Sequence, residues 1–337
     1  MRTIRPKITY FKYLYYFVCC GSIKKIYNYL LNKIEKRLKR THLKSLPVNI
    51  MIEPCNVCNL KCLGCITGTK HAEAIEPHTL SLEQFKKIFD QFKEYVFNVS
   101  LYNWGEPFLN KDIFSIIEYG SSNKCGVTVH SNFNIFDETM AKKAILSRLT
   151  HIYLCIDGAT QETYEKYRVG GDLSRVFRNI EILVKKKKEN RSIFPLLTWR
   201  YLIFPHNVHE IELAKRKSKQ LNLDAFEVSF GNLDNIATFG VEKRYNLATG
   251  SIVSYTSKVC NSLWDTLIIY PDGSVIPCCQ SFRKTDIFGN LNGSSIREVW
   301  NNKEFVTVRK IISTKKIGEG IRHPCCECKI IENVQKS

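Results

Sequence analysis

Glu53-Pro-Cys-Asn-Val-Cys-Asn-Leu-Lys-Cys-Leu-Gly-Cys65 sets Cys58, Cys62 and Cys65 at C-x3-C-x2-C spacing, in what should be a loop after the first strand. Three thiolates this close in sequence can hold three irons of a cubane iron–sulfur cluster. Such clusters normally take four Cys ligands, so a three-cysteine site leaves one iron open to a non-protein ligand. An open coordination position is what separates a reactive metal from a structural one. A zinc knuckle is the other chemistry this spacing allows. Cys55, three residues ahead of the set, stands outside the spacing and is read as a spare buried thiol.

The chain has 337 residues, room for one large domain and a smaller one. Its 14 cysteines fall in C-x2-C, C-x3-C and adjacent Cys-Cys groups, which suit metal ligation better than long-range disulfides. An oxygen-sensitive cluster also argues for the reducing cytosol. The net charge is +18, but residues 1–47 hold 12 Lys/Arg against one acid, Glu35, a net +11 that leaves +7 for the rest. A general nucleic-acid-binding body is therefore not implied, and no nucleic-acid partner is expected. The basic character belongs to an N-terminal extension.

That extension opens with a Tyr-rich run from Ile8 to Cys20, interrupted by Lys12. It is shorter than the ~18–20 residues that span a bilayer, and it lacks the small-residue cleavage site of a signal peptide. A helix follows over 23–40, with Ile23, Tyr27, Leu30, Leu31, Ile34 and Leu38 on one face. A basic amphipathic helix can make a peripheral contact with an anionic membrane. It can also cap the main domain with its lysines solvated, and that reading is preferred.

From Val48 apolar strands alternate with amphipathic helices, the pattern of a parallel α/β architecture. The strands are placed at 48–53, 98–103, 125–131, 151–156, 197–204 and 224–229, and the helices at 81–94, 111–122, 137–146, 172–188 and 207–221. Polar residues gather after the strands. The second strand ends at Trp104-Gly105-Glu106-Pro107, the third at Ser131-Asn132, and the fourth at Cys155-Ile156-Asp157-Gly158, with Tyr167-Arg168 downstream. Glu106 is suited to accept from an ammonium group. Arg168 is shaped for a carboxylate, with a surface ion pair as its alternative. Asn132 sits where a turn can use Asn without any ligand. Trp199 and Tyr201 are placed either at a barrel mouth or in the core.

Together these residues closely resemble the signature of the radical S-adenosylmethionine (SAM) enzymes. The resemblance implies a partial (β/α)6 barrel, with its active site at the C-terminal ends of the strands. It implies a [4Fe-4S] cluster on Cys58, Cys62 and Cys65 whose open iron binds SAM. It further implies that Gly105 and Glu106 meet the methionyl ammonium, and that Ser131 and Asn132 lie near the adenosine. Arg168 would pair with the SAM carboxylate. Trp104 stands where the family has Gly, and Cys155 where it often has a Ser that contacts SAM. Cys155 also reads as a small buried strand residue.

Residues 231–259 lose periodicity and are taken as a linker or active-site loop, which gives units at 1–47, 48–230, 231–259 and 260–337. The last unit carries Cys260, a hairpin turning at Asp272-Gly273, Cys278-Cys279, a helix with Trp300, and Cys325-Cys326-x-Cys328. This order resembles the small α+β auxiliary-cluster domains called SPASM and Twitch. With no cysteine between Cys279 and Cys325, the resemblance implies one auxiliary [4Fe-4S] cluster, on Cys260, Cys278, Cys325 and Cys328. Cys279 and Cys326 remain alternative ligands, and a four-thiolate zinc site is the structural alternative.

The family's chemistry is reductive cleavage of SAM to a 5′-deoxyadenosyl radical that removes hydrogen from a substrate. The single auxiliary cluster is similar to that of a Twitch dehydrogenase that oxidises a cyclitol. The first expectation is therefore oxidation of a carbohydrate, cyclitol or cell-envelope precursor. The alternatives are a peptide-modifying maturase, or a redox-neutral enzyme with zinc in its last domain. A flavodoxin or ferredoxin is the expected reductant. No residue can be named as a catalytic base.

Overall fold

The computed structural model describes residues 8–69, 76–230, 241–246, 251–256, 260, 262–279, 281–314, 316 and 325. Two helices, α1 (Ile8–Cys19) and α2 (Ile23–Arg37), lead into β1 (Asn49–Ile52). After the cysteine loop and the short α3 (Ile66–Thr69), strands and helices alternate. They run α4 (Leu82–Phe89), β2 (Asn98–Leu101), α5 (Ile113–Ser122), β3 (Gly126–Ser131), α6 (Glu138–Leu146), β4 (His151–Cys155), α7 (Gln161–Glu165), α8 (Leu173–Glu189), β5 (Leu196–Ile203), α9 (Ile211–Gln220) and β6 (Ala225–Phe230). Each of the six expected strands is present. They pair in parallel in the order β1-β2-β3-β4-β5-β6.

Local chemistry sets several helix starts. Ser81 and Gln84 form a reciprocal capping box at α4, and Asp137, Thr160 and Asp172 each accept from a backbone N–H in the first turn of α6, α7 and α8. Between sheet and helices lies one apolar core, with Ile52, Val99, Val129, Ile152 and Trp199 from the strands meeting Phe85, Ile116, Ala144 and Ile180 from the helices.

The last domain departs from expectation in where its hairpin goes. After α10 (Ser262–Asp265), β9 (Thr266–Ile269) pairs in parallel with β1, and β10 (Ser274–Ile276) and β11 (Gly289–Asn290) continue antiparallel. One nine-stranded open sheet results, β11-β10-β9-β1-β2-β3-β4-β5-β6. The hairpin turns at Gly273, φ +82°, backbone that a side chain would strain. Then α11 (Ile296–Trp300) and α12 (Lys303–Thr314) fold back, and the fully buried Arg309 donates to the carbonyls of Leu263 and Trp300.

One further reading is corrected, and the structure settles two points that the sequence leaves open. The segment 231–259, taken as a loop, contains a β-hairpin of β7 (Val241–Asn246) and β8 (Ser251–Thr256). The Tyr-rich run from Ile8 forms α1, which the sequence reading left without an element. Trp199 and Tyr201 are both core residues with no exposed surface. Trp199 Nε1 donates to Ile156 O and Tyr201 Oη to Asn207 O, so their neighbours Arg200 and Leu202 take the barrel interior.

The N-terminal helices do cap the barrel, but the other way round from expectation. The side of α2 against the barrel is polar (Lys25, Asn28, Asn32 and Glu35), and its apolar stripe faces solvent.

Candidate active site

The cysteine loop lies over the C-terminal end of the barrel. Gly64, φ +70°, turns the chain between Cys62 and Cys65. Lys61 N and Leu63 N donate to Val169 O (3.0 Å) and Tyr167 O (3.2 Å), tying the loop to the segment after α7. Cys58, Cys62 and Cys65 line one cavity of about 350 Å³, within the ~300–1,000 Å³ common for small-molecule sites. Cys55 does not join them; it is fully buried and its thiol donates to Glu106 O at 3.1 Å.

The sequence-predicted polar residues share that cavity. Glu106, fully enclosed, accepts from Ser131 Oγ at 2.7 Å and from the backbone N–H of Asn132 at 2.8 Å and Phe108 at 3.2 Å. Asn132 Nδ2 donates to Asn59 Oδ1 at 2.9 Å and lies 3.7 Å from Cys58 Sγ. A continuous polar path therefore joins the strand-end carboxylate to the first cysteine. Burial raises the Glu106 carboxyl to about 7, against the pull of those three donors. A cation seated beside it would restore the charged form.

On the other side, Arg168 leaves 13% of its side chain exposed and gives its Nε to the fully buried Asp157 Oδ2 at 2.6 Å, so the surface ion pair is excluded. Its Nη1 faces Cys62 Sγ at 3.7 Å. Gly105 is needed for shape. A Cβ there would stand 2.0 Å from Cys55 O, so only glycine lets this turn lie against the strand-end loop of β1.

Glu53 was missed by the sequence reading. It is fully buried, and its Oε1 accepts from Trp104 N at 2.7 Å and Gly105 N at 2.8 Å, holding the turn that presents Glu106. Burial raises its carboxyl to about 7. An acid at the end of an apolar strand was the available signal. Three residues of the far wall were not legible either: Tyr102 stacks on His130 at 3.5 Å, and Arg200 completes the wall with Cys155 and Cys279.

The donor set fits an iron–sulfur cluster. Burial raises all of Cys55, Cys58 and Cys62, the first two to about 12, so bare thiolates are disfavoured unless cationic metal neutralises them. Only the last two of these belong to the spaced set, whose third member, Cys65, lies on the same wall. Among the described residues no three metal-binding side chains converge on a single ion. That is compatible with a cubane, whose separate iron corners hold thiolates further apart than one ion does. In the last domain, burial raises the Cys279 thiol, and the nearby sulfurs of Cys278 and Cys260 add to the shift. Cys325 is described, but Cys326 and Cys328 lie outside the described residues, so the expected four ligands are not seen as a group.

The radical SAM superfamily model matches residues 52–216, the segment that builds this cavity. The chain belongs to that superfamily. An iron–sulfur cluster-binding SPASM domain matches residues 260–330. The family thus brings a [4Fe-4S] cluster and SAM, and its second domain brings auxiliary iron–sulfur binding. This radical SAM protein is similar to the mycofactocin maturase MftC of Mycobacterium ulcerans, 24% identical over 286 residues covering 76% of this chain and 75% of that protein. It is also similar to the antilisterial bacteriocin subtilosin biosynthesis protein AlbA of Bacillus subtilis, 23% identical over 76% of this chain and 60% of that protein. Among solved structures, anSMEcpe with bound AdoMet superposes with a TM-score of 0.58 at 16% identity, covering 84% of this chain and 87% of that one. Streptococcus suis SuiB bound to its precursor peptide SuiA gives 0.53 at 15%, covering 93% and 76%. These superpositions confirm the TIM-like barrel. Among the described residues no helix is long and apolar enough to cross a membrane.

Proposed function

We propose that this chain is a radical SAM maturase that modifies a peptide. The observation that carries the reading is the single cavity shared by Cys58, Cys62, Cys65, Glu106 and Asn132, in a chain similar to a mycofactocin maturase and a bacteriocin biosynthesis protein over 76% of its length and to a PqqA peptide cyclase over 89%. The oxidoreductase reading on a carbohydrate or cyclitol, the first expectation from sequence, rests on the cysteine count of the last domain; the likeness to BtrN in complex with AdoMet and 2-DOIA, TM-score 0.53 at 15% identity, is one of fold.

A cluster held by Cys58, Cys62 and Cys65, with SAM bound to it, would supply hydrogen abstraction from an unactivated carbon. The chain's own residues do the rest. Cys58, Cys62 and Cys65 hold three irons. Glu106, presented by Gly105, accepts from the methionyl ammonium, and Ser131 and Asn132 lie toward the ribose. Arg168, its Nε committed to Asp157 and its Nη1 facing Cys62, offers its remaining nitrogen, Nη2, to the SAM carboxylate. Tyr102, His130 and Arg200 form the wall for substrate. Enclosure matters because a primary radical attacks whatever lies nearest. In the last domain Cys260, Cys278, Cys325 and Cys328 ligate the auxiliary cluster. A flavodoxin or ferredoxin of the reducing cytosol supplies the electron.

The anaerobically reconstituted, reduced protein should release 5′-deoxyadenosine from SAM, faster in the presence of a host extract. Protease treatment of that extract separates the substrate classes. Stimulation that is lost supports a peptide, and stimulation that survives supports a sugar-like molecule and overturns this reading.

A further inference from the structure

The helix α2 is amphipathic and faces the wrong way for a helix whose neighbours are only this barrel and water. Its buried side is polar and largely hydrogen-bonded, Asn32 Oδ1 being unpartnered. Asn28 Nδ2 donates to Leu46 O and Tyr95 O, and Asn32 Nδ2 to Trp264 O. Glu35 accepts from Lys44 N and Ser45 N, and Lys25 Nζ donates to Lys124 O. The opposite side carries Ile23, Tyr27, Leu30, Ile34 and Leu38 in one stripe, 87, 66, 55, 56 and 59% exposed. Helix α1 adds Leu14, Phe17 and Val18, each more than half exposed. The two helices meet over Phe97, which both Phe17 and Tyr29 contact. Scattered exposed apolar residues need no explanation, but a contiguous stripe of this size marks a surface that something covers.

Charge identifies the cover. Lys24, Lys33 and Arg37 are exposed along the flanks of the stripe, with Lys39 and Arg40 after its end. The single acidic residue of positions 1–47, Glu35, is turned inward onto backbone N–H groups. The outer face is thus apolar with basic edges; the exposed acid beside it, Glu94, is paired with Lys24 at 3.6 Å, which leaves Lys33, Arg37, Lys39 and Arg40 to set its charge. A second copy of so basic a face is repelled, whereas an anionic bilayer accepts both components. The apolar side chains enter the headgroup–acyl boundary, and each nearby Lys/Arg adds attraction to the anionic surface.

We propose that the outer face of α1 and α2 docks this protein on the surface of an anionic phospholipid bilayer. Its backbone anchors at Leu46, Tyr95, Lys124 and Trp264 all precede strand starts, at Asn49, Asn98, Gly126 and Thr266. The docking face is therefore at the barrel end opposite the cysteine loop, and a docked molecule keeps its active-site mouth open to reductant and substrate. This inference is independent of the substrate proposed above.

The test is flotation of the full-length holoprotein with vesicles of phosphatidylcholine alone or mixed with phosphatidylglycerol, at low and high salt. The wild type should bind the mixed vesicles at least tenfold more tightly than the neutral ones, and less tightly as salt rises. Leu30→Glu/Ile34→Glu should abolish binding, and Lys33→Glu/Arg37→Glu should remove its salt dependence. Both act on exposed side chains and should leave the circular dichroism spectrum and SAM binding unchanged. Failure to bind mixed vesicles overturns the proposal, as does equal binding by the charge-reversed variant, which keeps the stripe intact. A dimer in solution that Leu30→Glu/Ile34→Glu dissociates would overturn it too, by assigning the face to a protein contact.

Discussion

Arg168 holds Asp157 across 2.6 Å while its Nη1 lies 3.7 Å from Cys62. Asp157 Oδ1 also accepts from Leu202 N at 2.6 Å. One buried carboxylate thus joins the ends of β4 and β5 and, through the guanidinium, the cysteine loop.

Arg168→Met should strand that carboxylate and destabilise the protein by about 3–5 kcal/mol, the usual result of breaking one side of a buried pair. The double variant Asp157→Asn/Arg168→Met should recover part of the loss. Denaturant titration of the three proteins measures both effects. A single variant as stable as wild type would show that the pair does not secure the loop.

Glu106→Ala should weaken SAM binding by about 10- to 100-fold, the range expected when a hydrogen bond to a charged group is lost. Glu106→Gln should fall between, because its amide oxygen can still accept from Ser131 and Asn132. Anaerobic SAM titration followed by the EPR signal of the reduced cluster reads this directly. Unchanged affinity in both variants would remove Glu106 from the SAM site.

Glu53 titrates with folding. Its carboxyl is raised by burial to about 7 from an ordinary 4.5. Its contribution is therefore fully present below about 4.5 and is lost as pH rises through about 7. Relative to Glu53→Gln, the wild type should lose on the order of 3 kcal/mol between those limits. Urea midpoints of both proteins at pH 5 and pH 8 test the sign. A difference that grows in favour of the wild type at high pH would contradict it.

Gly105→Ala would place a methyl 2.0 Å from Cys55 O and 2.8 Å from Val57 O, both backbone atoms. Overpacking of this kind costs about 1–3 kcal/mol. The displaced turn should carry Glu106 with it, so thermal stability and SAM affinity should fall together. A fall in stability alone would separate the turn from the binding site.

The Cys58→Ala/Cys62→Ala/Cys65→Ala variant isolates the last domain. After anaerobic reconstitution it should retain about four irons with matching sulfide, the content of one cubane. Zinc in their place would make that domain structural and leave the chemistry redox-neutral.

Much of the barrel was legible because its signals are local. The six strands and their helices follow from side-chain periodicity, and residues such as Ser81, Asp137 and Asp172 mark helix starts by capping them. Glu106, Ser131 and Asn132 stood out because polar side chains at the ends of apolar strands have few other reasons to be there. Glu53, Arg200 and the Asp157–Arg168 pair were not legible. Their roles depend on which strand ends converge, and chain spacing does not record that convergence.

The chain by itself determined the family signature, the parallel strand order of the barrel and the existence of an amphipathic helix after residue 22. Tertiary structure alone decided the rest. It set β9 beside β1, merging the last domain's hairpin into the barrel sheet. It also chose which side of α2 is inside. A 3.6-residue period reveals a stripe but not its direction. At the strand starts the barrel offers unpaired backbone carbonyls and N–H groups, which Asn28, Asn32 and Glu35 satisfy and leucines cannot, so the polar side turned inward and the apolar side was left facing out.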